Sequence, residues 1–151
     1  TGPLGELAMK KSETIPASEG GAESDLHAWS WAGNKARVQE LLSAGADPNW
    51  QDSIGETAIF GAAGWGHAEV VRVLVEHGAK HDIIEKTSGW TVLHWAARSN
   101  VETTKTLVEA GADVCVADNA DQLPIEVAHS HGKGDIVKYL KSVGPQIASR
   151  R

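Results

Sequence analysis

The sequence predicts an all-α solenoid of repeated helix pairs, a stacked array and not a fold closed around one core. Three observations predict it. Gly45-Ala46-Asp47, Gly78-Ala79-Lys80 and Gly111-Ala112-Asp113 recur every 33 residues, and Gly144 falls one step further on. Leu41, Leu74, Leu107 and Leu140 keep the same interval. Upstream of each glycine lies helical apolar spacing: Val38/Leu41/Leu42, Val71/Leu74/Val75, Leu107/Val108 and Ile136/Val137/Leu140. Helical spacing closed by glycine selects helix pairs, because glycine takes the left-handed conformation that ends a helix without a Cβ penalty.

The units follow in order. The first opens inside a helix, Ser24-Asp25-Leu26-His27, and turns at Gly33-Asn34. The second reads Gly55-Glu56-Thr57-Ala58-Ile59-Phe60-Gly61-Ala62-Ala63, then Gly66-His67-Ala68-Glu69-Val70-Val71. The third reads Gly89-Trp90-Thr91-Val92-Leu93-His94-Trp95-Ala96-Ala97, and the fourth, more loosely, Leu123-Pro124-Ile125-Glu126-Val127-Ala128 before Gly132. On these residues the chain resembles the ankyrin repeat family. The third unit is close to that family's G-x-T-P-L-H-x-A-A, and the second carries its helix–helix turn. The resemblance spans residues 24–144 and implies an ankyrin-repeat solenoid of four repeats, at about 24–47, 48–80, 81–113 and 114–144, joined by β-hairpin-like loops.

Local chemistry explains the pattern. Thr91 caps a helix and bonds His94 one turn later, while the imidazole also reaches backbone of the adjoining loop. The alanine pairs at 62–63 and 96–97 let neighbouring helices approach closely. The third repeat gains one residue before Thr91 and loses one after it. Ser99-Asn100 there replaces the Gly-His turn, and Asn100 is expected in the left-handed position. Trp29 stands where alanine is usual, as suits an N-terminal capping repeat, and Lys133 to Lys141 suit a C-terminal cap.

Residues 1–23 do not continue the period. Thr1-Gly2-Pro3-Leu4-Gly5 looks like an expression-vector scar, and the small, polar, Gly/Pro/Ser-rich remainder reads as a flexible arm. Residues 145–151 read as a basic tail. No run of about 18 apolar residues is available to cross a membrane, and no apolar signal core opens the chain. The single cysteine, Cys115, excludes an intramolecular disulfide framework and fits a reducing compartment, cytoplasm or nucleus. The net charge of -6 argues against a nucleic-acid partner. It is uneven: residues 24–132 hold 7 Lys/Arg against 15 Asp/Glu, net -8, and residues 133–151 hold 5 against 1, net +4. An acidic body favours basic partners.

Six tryptophans accompany one phenylalanine and one tyrosine. The resemblance implies that a concave face, made from hairpin tips and the outward side of the first helices, holds protein partners. In that frame Trp31 and Trp65 fall at the ends of first helices, Trp90 just before the Thr91 cap, and Trp95 one turn in. Trp29 belongs to the cap and Trp50 to the loop after Asp47. Tryptophan is enriched at binding hot spots because it offers a large rigid area and one donor. Trp65, Trp90 and Arg98 lead the expected contacts, followed by Trp31, Trp95, Ile54 and Glu56. The plainer alternative is packing between repeats.

Other chemistries find little support. Trp90 and Trp95 have the spacing of two walls of a methyl-lysine cage, whose attraction comes from a cation over aromatic faces. Val127 and Arg98 stand where a third wall and an acid are required. No phosphate loop, nucleophile elbow or zinc helix occurs, and the close pairs His129/His131 and His77/His81 lack convergent ligands. The expectation is a non-enzymatic, monomeric protein-interaction module without cofactor or metal. Its partner is a peptide or domain with an apolar anchor and basic residues. The alternatives are a histone-tail or lysine reader and an assembly-chaperone subunit shielding a basic partner.

Overall fold

The computed structural model describes residues 21–149, with side chains through Gly144. Most of the segment read as a flexible arm, including its scar, lies outside these residues, as do Arg150 and Arg151. The described residues form four helix pairs: α1 (Ala22–Ala32) with α2 (Lys35–Ser43), α3 (Ala58–Gly64) with α4 (Ala68–Glu76), α5 (Val92–Ala97) with α6 (Val101–Glu109), and α7 (Pro124–Ser130) with α8 (Gly134–Ser149). First helices pack on first helices (α1, α3, α5, α7) and second on second (α2, α4, α6, α8), giving two helical layers. The first helix thus starts inside the segment read as an arm, at Ala22, and the last runs beyond the boundary placed after Gly144.

Burial follows the register. Leu26, Ile59 and Leu93 are fully buried at equivalent positions of successive first helices, and Leu74, Leu107 and Leu140 at equivalent positions of second helices. Removing each such side chain from water contributes roughly 1.5–3 kcal/mol. Ile125, the fourth member of the first-helix series, is only half-buried. Beside it Gln122, Glu126, His129, Ser130, Val137 and Lys141 line an open cleft of about 400 Å³. This polar face suits a terminal repeat.

The loops run as hairpin-like turns without forming strands among the described residues. Each is closed by one backbone bond: the N–H of Asp52, Glu85 and Asp118 donates to the carbonyl of Glu56, Trp90 and Gln122, at 3.0, 3.1 and 2.9 Å. Successive loops are laced together by Lys86 N–H donating to Ile54 O at 2.9 Å and Asn119 N–H to Ser88 O at 2.9 Å.

Gly45, Gly78 and Gly111 adopt left-handed φ of 99°, 90° and 104° after their helices. Gly144 does not, and α8 passes through it to Ser149. The sequence step therefore continues where the helix stop does not. Asn100 also departs from expectation. Its φ is -145° and it caps α6, its side chain accepting from Thr103 N–H at 2.9 Å. The left-handed place corresponds to Gly66, whose counterpart is Ser99, because α5 with six residues is one shorter than α3 with seven. The single Ser99 hydroxyl hydrogen is shared between Ala63 O at 2.7 Å and Ala96 O at 2.9 Å, tying this turn to the neighbouring first helix.

Candidate binding face

The frame of the face is a ladder of three carboxylates spaced 33 residues apart, Asp52, Glu85 and Asp118. Asp52 Oδ1 accepts from Ile54 and Glu56 N–H at 3.0 and 2.9 Å. Asp118 Oδ1 accepts from Ala120 and Gln122 N–H at 2.9 and 2.8 Å. Glu85, only 3% exposed, accepts from Thr87 N–H at 2.8 Å, Ser88 N–H at 2.6 Å, Trp90 N–H at 3.3 Å and the Ser88 hydroxyl. The third-repeat loop is one residue longer, and the extra methylene of glutamate over aspartate spans it. Burial alone would raise the Glu85 pKa, but the bonds from Ser88, Thr87 and Trp90 outweigh it and hold the carboxyl down at about 2.

The helix starts on this frame differ. In the third repeat Thr91 N–H donates to His94 Nδ1 at 3.1 Å, with the Thr91 hydroxyl 2.9 Å from the same nitrogen. Nδ1 is therefore the acceptor, and Nε2–H donates to Gln122 O at 2.9 Å in the next loop. Burial lowers the His94 pKa and keeps this neutral form. In the second repeat Phe60 takes the imidazole's place, and Thr57 Oγ1 is buried without a hydrogen-bond partner.

Two aromatic groups stand on the frame. Trp31 and Trp65 are 52% and 60% exposed, with ring centroids 5.7 Å apart. Trp31 rests against Gly61, where a Cβ would come within 3.2 Å of its ring. Trp95 rests on Gly64, where a Cβ would meet the ring at 2.7 Å. Trp95 meets Trp90 edge-on, centroids 5.4 Å apart. Trp90 lies along His94, and its Nε1–H donates to Asp118 Oδ2 at 2.7 Å. Asp118 is held below the usual carboxylate range: burial opposes ionisation, but bonds from Gln122, Trp90 and Ala120 prevail. Arg98 lies 4.6 Å from the Trp95 ring centroid and 5.7 Å from that of Trp90.

The site residues expected from sequence thus fall into two groups, Trp31 with Trp65 and Trp90 with Trp95 and Arg98. Ile54, on the loop, is 41% exposed. Glu56 is half-buried, and burial first, then the like charges of Asp52 and Glu85, raise its pKa. Ile84, also exposed, turns to a separate cleft of about 250 Å³ that includes His81, Asp82, Leu93 and Val116. Trp29 packs against the core with Arg37 over its ring, and Trp50 lies edge-on to His27 at 5.2 Å. The cage geometry is blocked: Val127 is fully buried, and the protein's own guanidinium covers both rings. Among the described residues no three His, Cys, Asp or Glu side chains converge on a metal position, and no helix is long and apolar enough to cross a membrane.

The sequence reading missed the residues that hold the tryptophans. Gly61 and Gly64 are seats for indole rings, and Glu85 and Asp118 fix Trp90 through its backbone and its ring. The signal for the carboxylates was present as the 33-residue spacing of Asp52, Glu85 and Asp118.

Comparison with known proteins agrees with the repeat fold. Residues 26–118 match the family model for ankyrin repeats, in three copies. The chain is 33% identical to cyclin-dependent kinase 4 inhibitor B of Homo sapiens over 135 residues, covering 89% of this chain and 97% of that protein. It is 32% identical to cyclin-dependent kinase inhibitor 2A of Homo sapiens, covering 84% of this chain and 83% of that one. Against potassium channel AKT2/3 of Arabidopsis thaliana it is 26% identical, covering 95% of this chain but 22% of the channel. With two stacked helical layers, laced loops and a match across 26–118, the chain belongs to the ankyrin repeat family.

Proposed function

We propose that this protein-binding ankyrin array grips its partner on the face formed by the loops and first helices, and that the partner is a cyclin-dependent kinase. The observation that carries the site is the Trp31–Trp65 pair, two mutually packed indoles more than half exposed. Exposed aromatic area of this kind supplies binding energy at low ordering cost, and a stiff stack holds it in fixed geometry. The partner's nature is supported by relatives whose names print kinase inhibition and whose lengths are matched almost throughout, whereas the channel is matched over a fraction. An apolar anchor on the partner meets the tryptophans, and a basic residue meets Glu56, whose ionisation burial and then the like charges of Asp52 and Glu85 oppose. The protein acts as a monomer, in the cytoplasm or nucleus. Neither a lysine reader nor a chaperone shielding a basic partner has an observation of its own, and Arg98 fills the cage the former requires.

Calorimetric titration of purified human cyclin-dependent kinase 4 with the wild type and Trp65→Ala tests both parts. Binding should weaken by about 2 kcal/mol, roughly 30-fold, with the melting temperature unchanged. Absence of wild-type binding at tens of micromolar overturns the kinase as partner. Equal affinities overturn Trp65 as contact.

A further inference from the structure

Arg98 is a cation of this face, and its surroundings define what it is for. Its guanidinium lies against Trp95 at 4.6 Å and Trp90 at 5.7 Å, and the residue is half-buried. Trp95 is fixed from beneath by Gly64, and Trp90 is tied at both ends, through its ring N–H to Asp118 and through its backbone N–H to Glu85. The stacking platform is therefore rigid. Three exposed cations are paired locally, Lys35 with Glu69 at 3.4 Å, Arg37 with Glu40 at 3.1 Å, and Arg72 with Glu69. No hydrogen bond or ion pair joins the Arg98 guanidinium to any described residue. The nearby carboxylates of Glu85 and Asp118 are already engaged by loop N–H groups and the Trp90 indole.

Contact with aromatic rings attracts a guanidinium's charge without using its five N–H donors, which lie in the guanidinium plane. A cation over aromatic rings, half-buried and given no anion by any described residue, is prepared for a bidentate acceptor from outside. We infer that Arg98, held over the rings of Trp95 and Trp90, is a carboxylate receptor that pairs with an aspartate or glutamate side chain of the protein partner. This inference rests on the reading that this face binds protein, and it adds an acidic group to the apolar anchor and basic residue expected there. The recognised segment carries both signs of charge. The acid lies toward the third repeat, at Arg98, and the base toward the second, at Glu56.

The test does not require the kinase. A phage-displayed library of random 12-residue peptides is selected on the wild type, Arg98→Gln and Arg98→Glu, with elution by excess wild-type protein. Wild-type binders should be enriched in Asp or Glu at one position. A synthetic peptide of that class should bind Arg98→Gln at least 10-fold more weakly, and Arg98→Glu should instead enrich Lys or Arg. Arg98→Lys, which keeps the charge but loses the planar fork, should also weaken the acidic peptide several-fold. Thermal melts and near-ultraviolet circular dichroism establish that each variant keeps its fold, and Arg98→Met, which retains cover over the rings without charge, replaces any that does not. A selection giving no acidic preference, or one that Arg98→Gln and Arg98→Met leave intact, overturns the inference. If the acidic preference holds and the kinase fails to bind, the partner is wrong and the receptor stands. If the kinase binds without dependence on Arg98, the reverse holds.

Discussion

Replacing Glu85 by glutamine removes the most heavily used carboxylate of the loop frame. Glu85 is 3% exposed and accepts three backbone N–H bonds and one hydroxyl bond, the shortest backbone bond from Ser88 N–H at 2.6 Å. A glutamine offers one carbonyl oxygen, so its amide nitrogen must face either Thr87 N–H or the Ser88 and Trp90 group, donor against donor. Bonds to a charged acceptor contribute roughly 1.5–3 kcal/mol each, and a buried donor left unmade costs about 1–3 kcal/mol. The pKa gives a second route to the magnitude. A fall from 4.5 to about 2 on folding corresponds to a stabilisation on the order of 3 kcal/mol. Because the folded-state pKa is the lower one, this contribution is complete above the unfolded value. It is lost as pH falls from 4.5 toward about 2. Glu85→Gln should therefore lose about 2–3 kcal/mol at pH 7 in urea denaturation, lowering the melting temperature by roughly 5–10 °C. It should also flatten the wild type's loss of stability between pH 5 and pH 2.5. Amide exchange at Ser88 and Trp90 should rise with it. A change under about 0.5 kcal/mol, or an acid limb of unaltered steepness, would refute the reasoning that this carboxylate holds the loop.

Three further outcomes follow from the same geometry. Thr91→Val should cost about 1–2 kcal/mol in chemical denaturation, because it strips the hydroxyl beside His94 Nδ1, whereas Thr57→Val should cost almost nothing, its Oγ1 having no partner to lose. Gly64→Ala should displace the Trp95 indole, since the new Cβ would lie 2.7 Å from the ring; a shifted tryptophan emission and a loss of about 1–3 kcal/mol are expected despite alanine's helix propensity. Glu56→Gln should leave stability at pH 7 equal to or above wild type, because the raised pKa means that ionisation opposes folding there, and this penalty fades as pH falls through the folded value; melts at pH 7 and pH 4 should converge.

The order of helices was legible because a repeat array writes its register into the chain. Leu26, Ile59 and Leu93 had to recur at one phase for neighbouring units to bury a continuous core. The Thr91–His94 cap and its reach to the next loop were legible for a similar reason, since the bond is local and its residue types are specific. Asn100 misled because a first helix one residue shorter brings Ser99 to the place of Gly66 and leaves Asn100 as the cap of α6. Gly144 misled because a glycine permits a helix stop without enforcing it.

By itself, then, the sequence determined the 33-residue period and the packing phase, since both are consequences of spacing along one chain, and it offered Trp31, Trp65, Trp90 and Trp95 as candidates for one face. Only the tertiary structure decided how those tryptophans are held. Trp31 and Trp95 belong to the first and third helix pairs yet rest on Gly61 and Gly64 of the second, Trp90 is anchored by Asp118 before the fourth, and Arg98 lies over two rings with no anion among the described residues. Each of these pairings joins residues from different repeats or settles a side chain's direction. A period fixes which positions share a face; the close approach of particular atoms across the stack sets which rings are seated, which stand in water and which charge remains unpaired.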